Sequence, residues 1–168
     1  TVTSAASLSV STTSNLGANV TTSGTQTYTG ATTLSGNLTL TSTESNLSYL
    51  SIDGAYDLTM IAGTALTLTG DIGSSTALNT LDISTTSGNI TLSGDITVTS
   101  TGSDAIVINA GSDTEVGTAT GGNILVSDSP TYTTGIGGIV KLYTGSVSNS
   151  TGLTNFIGSG SHRFRYYS

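Results

Sequence analysis

Apolar residues in this chain recur two apart, with a hydroxyl residue, an Asp or a Val between them. Leu38-Thr39-Leu40, Leu58-Thr59-Met60, Leu66-Thr67-Leu68, Leu81-Asp82-Ile83, Ile90-Thr91-Leu92, Ile96-Thr97-Val98 and Ile106-Val107-Ile108 are all of this kind. Successive strand side chains point to opposite faces, so this alternation predicts short strands with one buried face. The predicted inward pairs are those named and also Leu8 with Val10, Leu50 with Ile52, and Val140 with Leu142. Thr39 and Thr41 then face outward. Helix is nearly excluded by the same pattern. No window carries a 3.6-residue apolar stripe for three turns, and 22 Gly interrupt the chain where a helix requires Ala, Leu, Glu or Lys.

The strands repeat with small corners between them. Gly36-Asn37-Leu38-Thr39-Leu40-Thr41, Ala65–Gly70, Gly88–Ser93 and Gly122–Ser127 are variants of one phrase. A longer echo links Asn19–Ser23 with Asp95–Ser100, 76 positions on. Leu68 to Leu92 is 24 positions, Ile83 to Ile108 is 25, and Leu92 to Val126 is 34. A sandwich could also be built from short strands and corners, but unit-to-unit similarity at such a period favours coils stacked in parallel. The expectation is an all-β, right-handed parallel β-helix over residues 1–155, with about 24 residues and three strands per coil. The step of 34 implies an insertion, placed at Gly111–Gly121 as a protruding loop. Pro130 to Tyr132 is expected to be a second irregular stretch. Residues 156–168 read as a terminal cap or association segment, with Phe156, Ile157, Arg163, Phe164, Arg165, Tyr166 and Tyr167 as its surface. Aromatic and Arg side chains are enriched at interfaces, and such a tail against an acidic body suits end-to-end self-association.

Composition narrows the function classes. Thr and Ser exceed a third of the chain, charged residues are 8%, and the formal net charge is −7. The only Lys and Arg are Lys141, Arg163 and Arg165, too few for phosphate contacts, so nucleic acid is not an expected partner. Cysteine is absent, which removes disulfides and thiolate metal sites. The longest apolar run falls far short of a membrane span, so no membrane insertion is expected. No signal peptide opens the sequence, which is read as a mature protein or an excised piece.

Candidate chemistry is sparse. His162 is the only histidine, and no catalytic motif ties a nucleophile to it. The acids are scattered, without the spacing of calcium loops. Asp113 and Glu115 are the best local pair for a cation, against the blander reading of a solvated loop. Carboxylates on adjacent coils could serve glycoside chemistry, but the aromatic subsites such enzymes need are scarce at 5% aromatic residues. Thr-x-Thr occurs at Thr39/Thr41, Thr67/Thr69 and Thr97/Thr99, with steps of 28 and 30. Other coils break that rank, so an ice-matching face is a minor reading. Sequons at Asn19, Asn37, Asn46, Asn89 and Asn149 are expected by chance in a chain so rich in Thr and Ser. No catalytic residue, cofactor or resident metal is expected.

Residues 16–110 resemble the passenger repeats of filamentous-haemagglutinin-like exoproteins, the large adhesins of two-partner secretion systems in Gram-negative bacteria. Gln26–Leu34, Ser74–Ile83 and Gly88–Leu92 carry the likeness, and the tail phrases Gly138–Val147, Thr151–Thr154 and Gly158–Tyr166 extend it. The family's N-terminal secretion motif of Asn-Pro-Asn-Gly type is absent, and the only proline is Pro130. The resemblance implies a non-catalytic segment of a secreted, cell-surface adhesin, a stiff spacer with a Thr/Ser-rich contact surface. Its implied partners are a host-cell or neighbouring-cell surface, including glycans, and an outer-membrane transporter during secretion. An extracellular filament subunit is the alternative; a polysaccharide-active enzyme and an ice-binding protein rank below it.

Overall fold

The computed structural model describes residues 1–115 and 121–153. The chain climbs in coils. The first coil holds β1 (Val2–Ala5), β2 (Leu8–Val10) and β3 (Ser14–Leu16). The next three hold β4 (Val20–Thr22) with β5 (Gln26–Leu34), β6 (Leu38–Ser42) with β7 (Leu47–Asp53), and β8 (Leu58–Ala62) with β9 (Leu66–Leu68). Then follow β10 (Leu81–Thr85), β11 (Ile90–Leu92) and β12 (Ile96–Thr97), and after them β13 (Ile106–Asn109), β14 (Ile124–Val126) and β15 (Tyr132–Thr133). β16 (Val140–Tyr143) opens the last coil.

Every strand pairing among the described residues is parallel. One sheet stacks β1-β4-β6-β8-β10-β13-β16, and a second stacks β2-β5-β7-β9-β11-β14. A third face is built from β3, the bent second halves of β5 and β7, and the β12–β15 pair, joined by the bridges Ile52↔Ile72 and Ile72↔Ile96. The fold is therefore a parallel β-solenoid with almost no helix. The spacings read from sequence are true registers: Leu68 pairs with Leu92, Ile83 with Ile108 and Leu92 with Val126.

Coil length is not constant at 24. Leu8 pairs with Gln26, 18 positions on, and Leu38 with Leu58, 20 on. The later coils lengthen because Gly70–Thr80 adds a loop on the third face, and the Ile106-to-Val140 coil is longer again. Strand length varies too, from two residues in β12 to nine in β5. The 76-residue echo does not mark stacked equivalents. Val20 lies in the first sheet and Ile96 on the third face, so the repeated phrase encodes a corner and a strand, wherever the coil needs one.

The core is a set of columns. Leu38, Leu58, Leu81 and Ile106 lie in register along the first sheet, beside Val20, Leu40, Met60, Ile83 and Ile108, and all are buried. Leu47, Leu66, Ile90 and Ile124 form the facing column of the second sheet. The inward pairs of the first and last strands described, Leu8 with Val10 and Val140 with Leu142, are only half-buried, because among the described residues a coil packs on one side of them alone.

Two expectations about individual residues fail. Leu50 is 42% exposed, and Tyr49 at 1% takes the inward place. β7 turns the corner between the second sheet and the third face, where the register slips between Tyr28/Ala31. The inward series is thus Leu47, Tyr49, then Ile52, with the phase reset at the bend. Tyr132 does not close an irregular stretch; it enters β15 opposite Ile96. The backbone reverses before it, at Asp128 and Ser129, which have φ of 62° and 53°.

Tyr28 and Tyr49 stack inside the solenoid, centroids 4.3 Å apart and rings 15° from parallel. Below Tyr49, the buried Gln26 is fully engaged. Its Nε2 donates to Thr41 O at 2.6 Å and Val20 O at 3.3 Å, and its Oε1 accepts from Tyr49 Oη at 3.3 Å. Burial pushes both phenols above the ordinary tyrosine range. Close coil contact also fixes a glycine: a Cβ on Gly94 would sit 2.2 Å from Gly70 C and O in the coil beneath.

The register makes a contrast that denaturant can read. Ile83→Ala should cost about 2–5 kcal/mol through a core cavity, whereas Leu50→Ala should stay within about 0.5 kcal/mol. Urea unfolding of both variants measures it; equal losses would mean that β7 is in the other phase.

Candidate functional site

Outward residues fall into rows because equivalent positions stack one coil above another. On the second sheet, Ser9, Thr27, Ser48, Thr67 and Thr91 are in register, with Leu125 at the end. Stacked strands lie about 4.8 Å apart, so this is a file of hydroxyls at that period. β-branched Thr suits such a row, since its methyl covers the neighbouring coil while its hydroxyl meets water. On the first sheet, Thr39 and Thr59 lead to Asp82, Val107 and Lys141, and Thr21 and Thr41 lead to Ile61, Ser84, Asn109 and Tyr143. The face changes from hydroxyl to charged and aromatic along the axis. The three Thr-x-Thr pairs begin on three different faces: Thr39 on the first sheet, Thr67 on the second and Thr97 on the third.

The corners are polar ladders. The residue before a strand is repeatedly Asn or Asp, and its carboxyl or amide oxygen accepts the N–H of the equivalent residue one coil on. Asn37 takes Asp57 N at 3.0 Å, Asn46 takes Ala65 N at 3.0 Å and Asn89 takes Asn123 N at 3.0 Å. Asp71 takes Asp95 N at 3.0 Å, and Asp95 takes Thr131 N at 2.7 Å. Asp57 also accepts from Asn37 Nδ2 at 3.0 Å, from Thr80 Oγ1 at 2.8 Å and from Asn79 Nδ2. Asp53 caps the loop above it, accepting from Ser75 N at 2.8 Å and Thr76 N at 3.1 Å. Asp53, Asp71, Asp95 and the sequon asparagines Asn37, Asn46 and Asn89 thus supply acceptors to backbone that no strand serves, while Asp57 ties side chains of neighbouring coils together.

Opposite charges meet near the end of the first sheet. Lys141 Nζ pairs with Asp104 across the last corner of the first sheet. Asp104 is held below the usual carboxylate range by the hydrogen bonds from Lys141 and from Ser103, the latter at 2.8 Å. Asp82 is raised, by desolvation first and by the charge of Asp104 second.

Asp113 and Glu115 are both exposed on the first part of the inserted loop, where a turn closes with Thr114 N donating to Gly111 O at 2.8 Å. Among the described residues no group of three His, Cys, Asp or Glu side chains comes together. Gly111 and Gly122 meet at the neck of the loop, both with positive φ, and a Cβ on Gly111 would lie 2.4 Å from Gly122 Cα. His162 and the association residues Phe156, Ile157, Arg163, Phe164, Arg165, Tyr166 and Tyr167 lie outside the described residues. Sequence reasoning missed the corner ladders. Their signal is visible in retrospect: Asn or Asp immediately precedes Val20, Leu38, Leu47, Leu58, Ile72, Ile90, Ile96 and Ile124, each an inward residue.

Compared with protein families, with curated proteins and with solved structures, the chain matches none.

Two outcomes check this geometry. Asp57→Ala should destabilise by about 1–3 kcal/mol, since it orphans several donors, while Asp57→Asn keeps part of the ladder and should cost less; thermal unfolding decides. Replacing Lys141 with Met should raise the pKa of Asp104, seen as an upfield-to-downfield carboxyl ¹³C titration moved to higher pH. The sign follows from linkage: Asp104, depressed when folded, stabilises above its unfolded pKa and loses that contribution as pH falls. Asp82, raised when folded, acts in the opposite sense, favouring the folded state as pH falls through its pKa.

Proposed function

We propose that this chain is a non-catalytic segment of a secreted bacterial cell-surface adhesin, a rigid β-solenoid spacer whose Thr/Ser rows form a polar contact surface. The observation that supports it is the unbroken parallel pairing through every coil of the first sheet, β1 to β16. Continuous pairing with continuous core columns makes a stiff, quasi-one-dimensional body whose length scales with coil number. Rows of hydroxyls at a fixed period suit broad, shallow hydrogen bonding to a cell-surface glycan rather than capture in a deep pocket. The proposed partners are a host or neighbouring cell surface, with an outer-membrane transporter acting only during secretion.

Two measurements test this reading. Because Leu38 and Leu58 are register partners, removing residues 38–57 deletes one coil; the remainder should still unfold cooperatively, with the rod shortened by about 4.8 Å in small-angle scattering. On a glycan array and on whole cells, the chain should bind, and Thr67→Lys with Thr91→Lys should weaken that binding about tenfold or more by breaking the row. Turnover of a polysaccharide that disappears in Asp82→Asn would instead place the chain among enzymes.

A further inference from the structure

We propose that the corner around Tyr56 is a sugar subsite, a shallow platform that takes a neutral hexopyranose. This rests on the glycan-contact reading above, and names the class of sugar and the place where it is recognised. Tyr56 lies at the corner between the third face and the first sheet, just ahead of β8, and is 37% exposed. Glycines lie beneath it. Leu38 pairs with Leu58, so Gly36 is the position stacked under Tyr56. Gly36 in turn sits over Gly17, close enough that a Cβ on it would come within 3.3 Å of Gly17 O. Neither position has a side chain to lay against the ring. An aromatic ring is apolar, with negative charge on its face, and the C–H face of a pyranose packs against such a surface.

Hydrogen-bonding groups stand beside the ring. Asn37 lies one coil below Asp57, whose N donates to Asn37 Oδ1 at 3.0 Å, and Asn79 lies one coil above Tyr56, donating its N to Tyr56 O at 3.0 Å. Their side chains lock one another. Asp57 Oδ2 accepts Asn37 Nδ2 at 3.0 Å, while Asp57 Oδ1 accepts Asn79 Nδ2 and, at 2.8 Å, Thr80 Oγ1. Asn37 and Asn79 are exposed, and each amide nitrogen has a second N–H to give. Asn79 Oδ1 and Tyr56 Oη have no protein partner among the described residues. Planar amides and a carboxylate offer paired donors and acceptors to adjacent sugar hydroxyls. Because they are already fixed by one another, little side-chain freedom is lost on binding.

Charge at this corner sets the class of sugar. Asp57 brings a carboxylate, and Lys141, the only Lys or Arg among the described residues, is paired with Asp104 three strands on along the first sheet. An acidic sugar would meet Asp57 with no cation to balance it, so uronates and sulfated sugars are disfavoured. The second-sheet file of Ser9, Thr27, Ser48, Thr67, Thr91 and Leu125 contains no aromatic residue. It supplies hydrogen bonds without a surface for the apolar face of the sugar. Tyr56 supplies that surface.

Amide NMR of the 168-residue chain titrated with methyl glucoside, methyl galactoside, methyl mannoside and methyl glucuronide is the test. At least one neutral glycoside should shift the amides of residues 36–38, 56–58 and 79–80, with a Kd on the order of 1 mM for so small a ligand. The glucuronide should bind about tenfold more weakly or worse. Tyr56→Ala should weaken binding about tenfold or more, whereas Tyr56→Phe keeps the platform and should stay within about threefold. Leu50→Ala, on another face, should bind as the wild type does. If Tyr56→Ala does not fold, Asn79→Ala takes its place and should weaken binding about threefold or more. Amides at this corner that move with no neutral glycoside overturn the proposal, as does binding indifferent to the Tyr56 and Asn79 variants or a preference for the glucuronide. Whole cells bound equally by wild type and Tyr56→Ala would keep the adhesive reading and remove this subsite. No binding to cells, array or glycosides removes both.

Discussion

The structure depends on one constraint: each coil must offer its neighbour a complete edge of backbone donors and acceptors in parallel register. Val2 N donates to Asn19 O at 3.2 Å, Leu8 N to Thr25 O at 2.9 Å, Leu47 N to Ala65 O at 3.0 Å and Ile90 N to Asn123 O at 2.9 Å. The same relation recurs from the first coil to the last. Because strand side chains alternate, a common register means that inward positions stack on inward positions. The core columns, the hydroxyl rows and the position of each corner all follow from that.

Corners are where the constraint is hardest to meet. There the chain leaves the sheet, and its N–H groups would face an interior or a neighbouring coil without a partner. The Asn and Asp ladders answer this, and they explain how a chain with so few charges can keep most of its acids at corners. They also bear on the candidate site. Asp53, Asp71 and Asp95 are occupied as acceptors of backbone N–H groups and Asp57 as an acceptor of side-chain donors, whereas Asp82 and Asp104, the latter paired with Lys141, lie on an outer face with their charge states set by neighbours and burial.

A solenoid held by local repetition tolerates variation in coil length as long as the paired segments keep register. Steps of 18, 24 and 34 residues coexist here because the paired segments keep register whatever length of chain joins them. The loop pinched between Gly111 and Gly122 shows how: two glycines with positive φ bring its ends together, so the coil closes as though the insertion were absent. Architecture of this kind separates the contact surface, which can change, from the ladder, which cannot.

The sequence by itself determined the class of fold, the inward residues of most strands and three inter-coil registers, because alternation at period two and a repeated corner phrase are local signals. Leu38 with Leu40 and Ile106 with Ile108 could be placed from their neighbours alone. Tertiary structure decided what depends on where the chain bends. Tyr49 displaces Leu50 from the core because β7 crosses a corner between two faces. Gln26 is buried because two carbonyls and a tyrosine of other strands surround it, and nothing in Thr25-Gln26-Thr27 foretells them. The Thr-x-Thr pairs look equivalent in the chain yet lie on three faces, since the coil length between them is not constant. Local pattern fixes which side of a strand is inward; only closure of the coil fixes which face that strand joins.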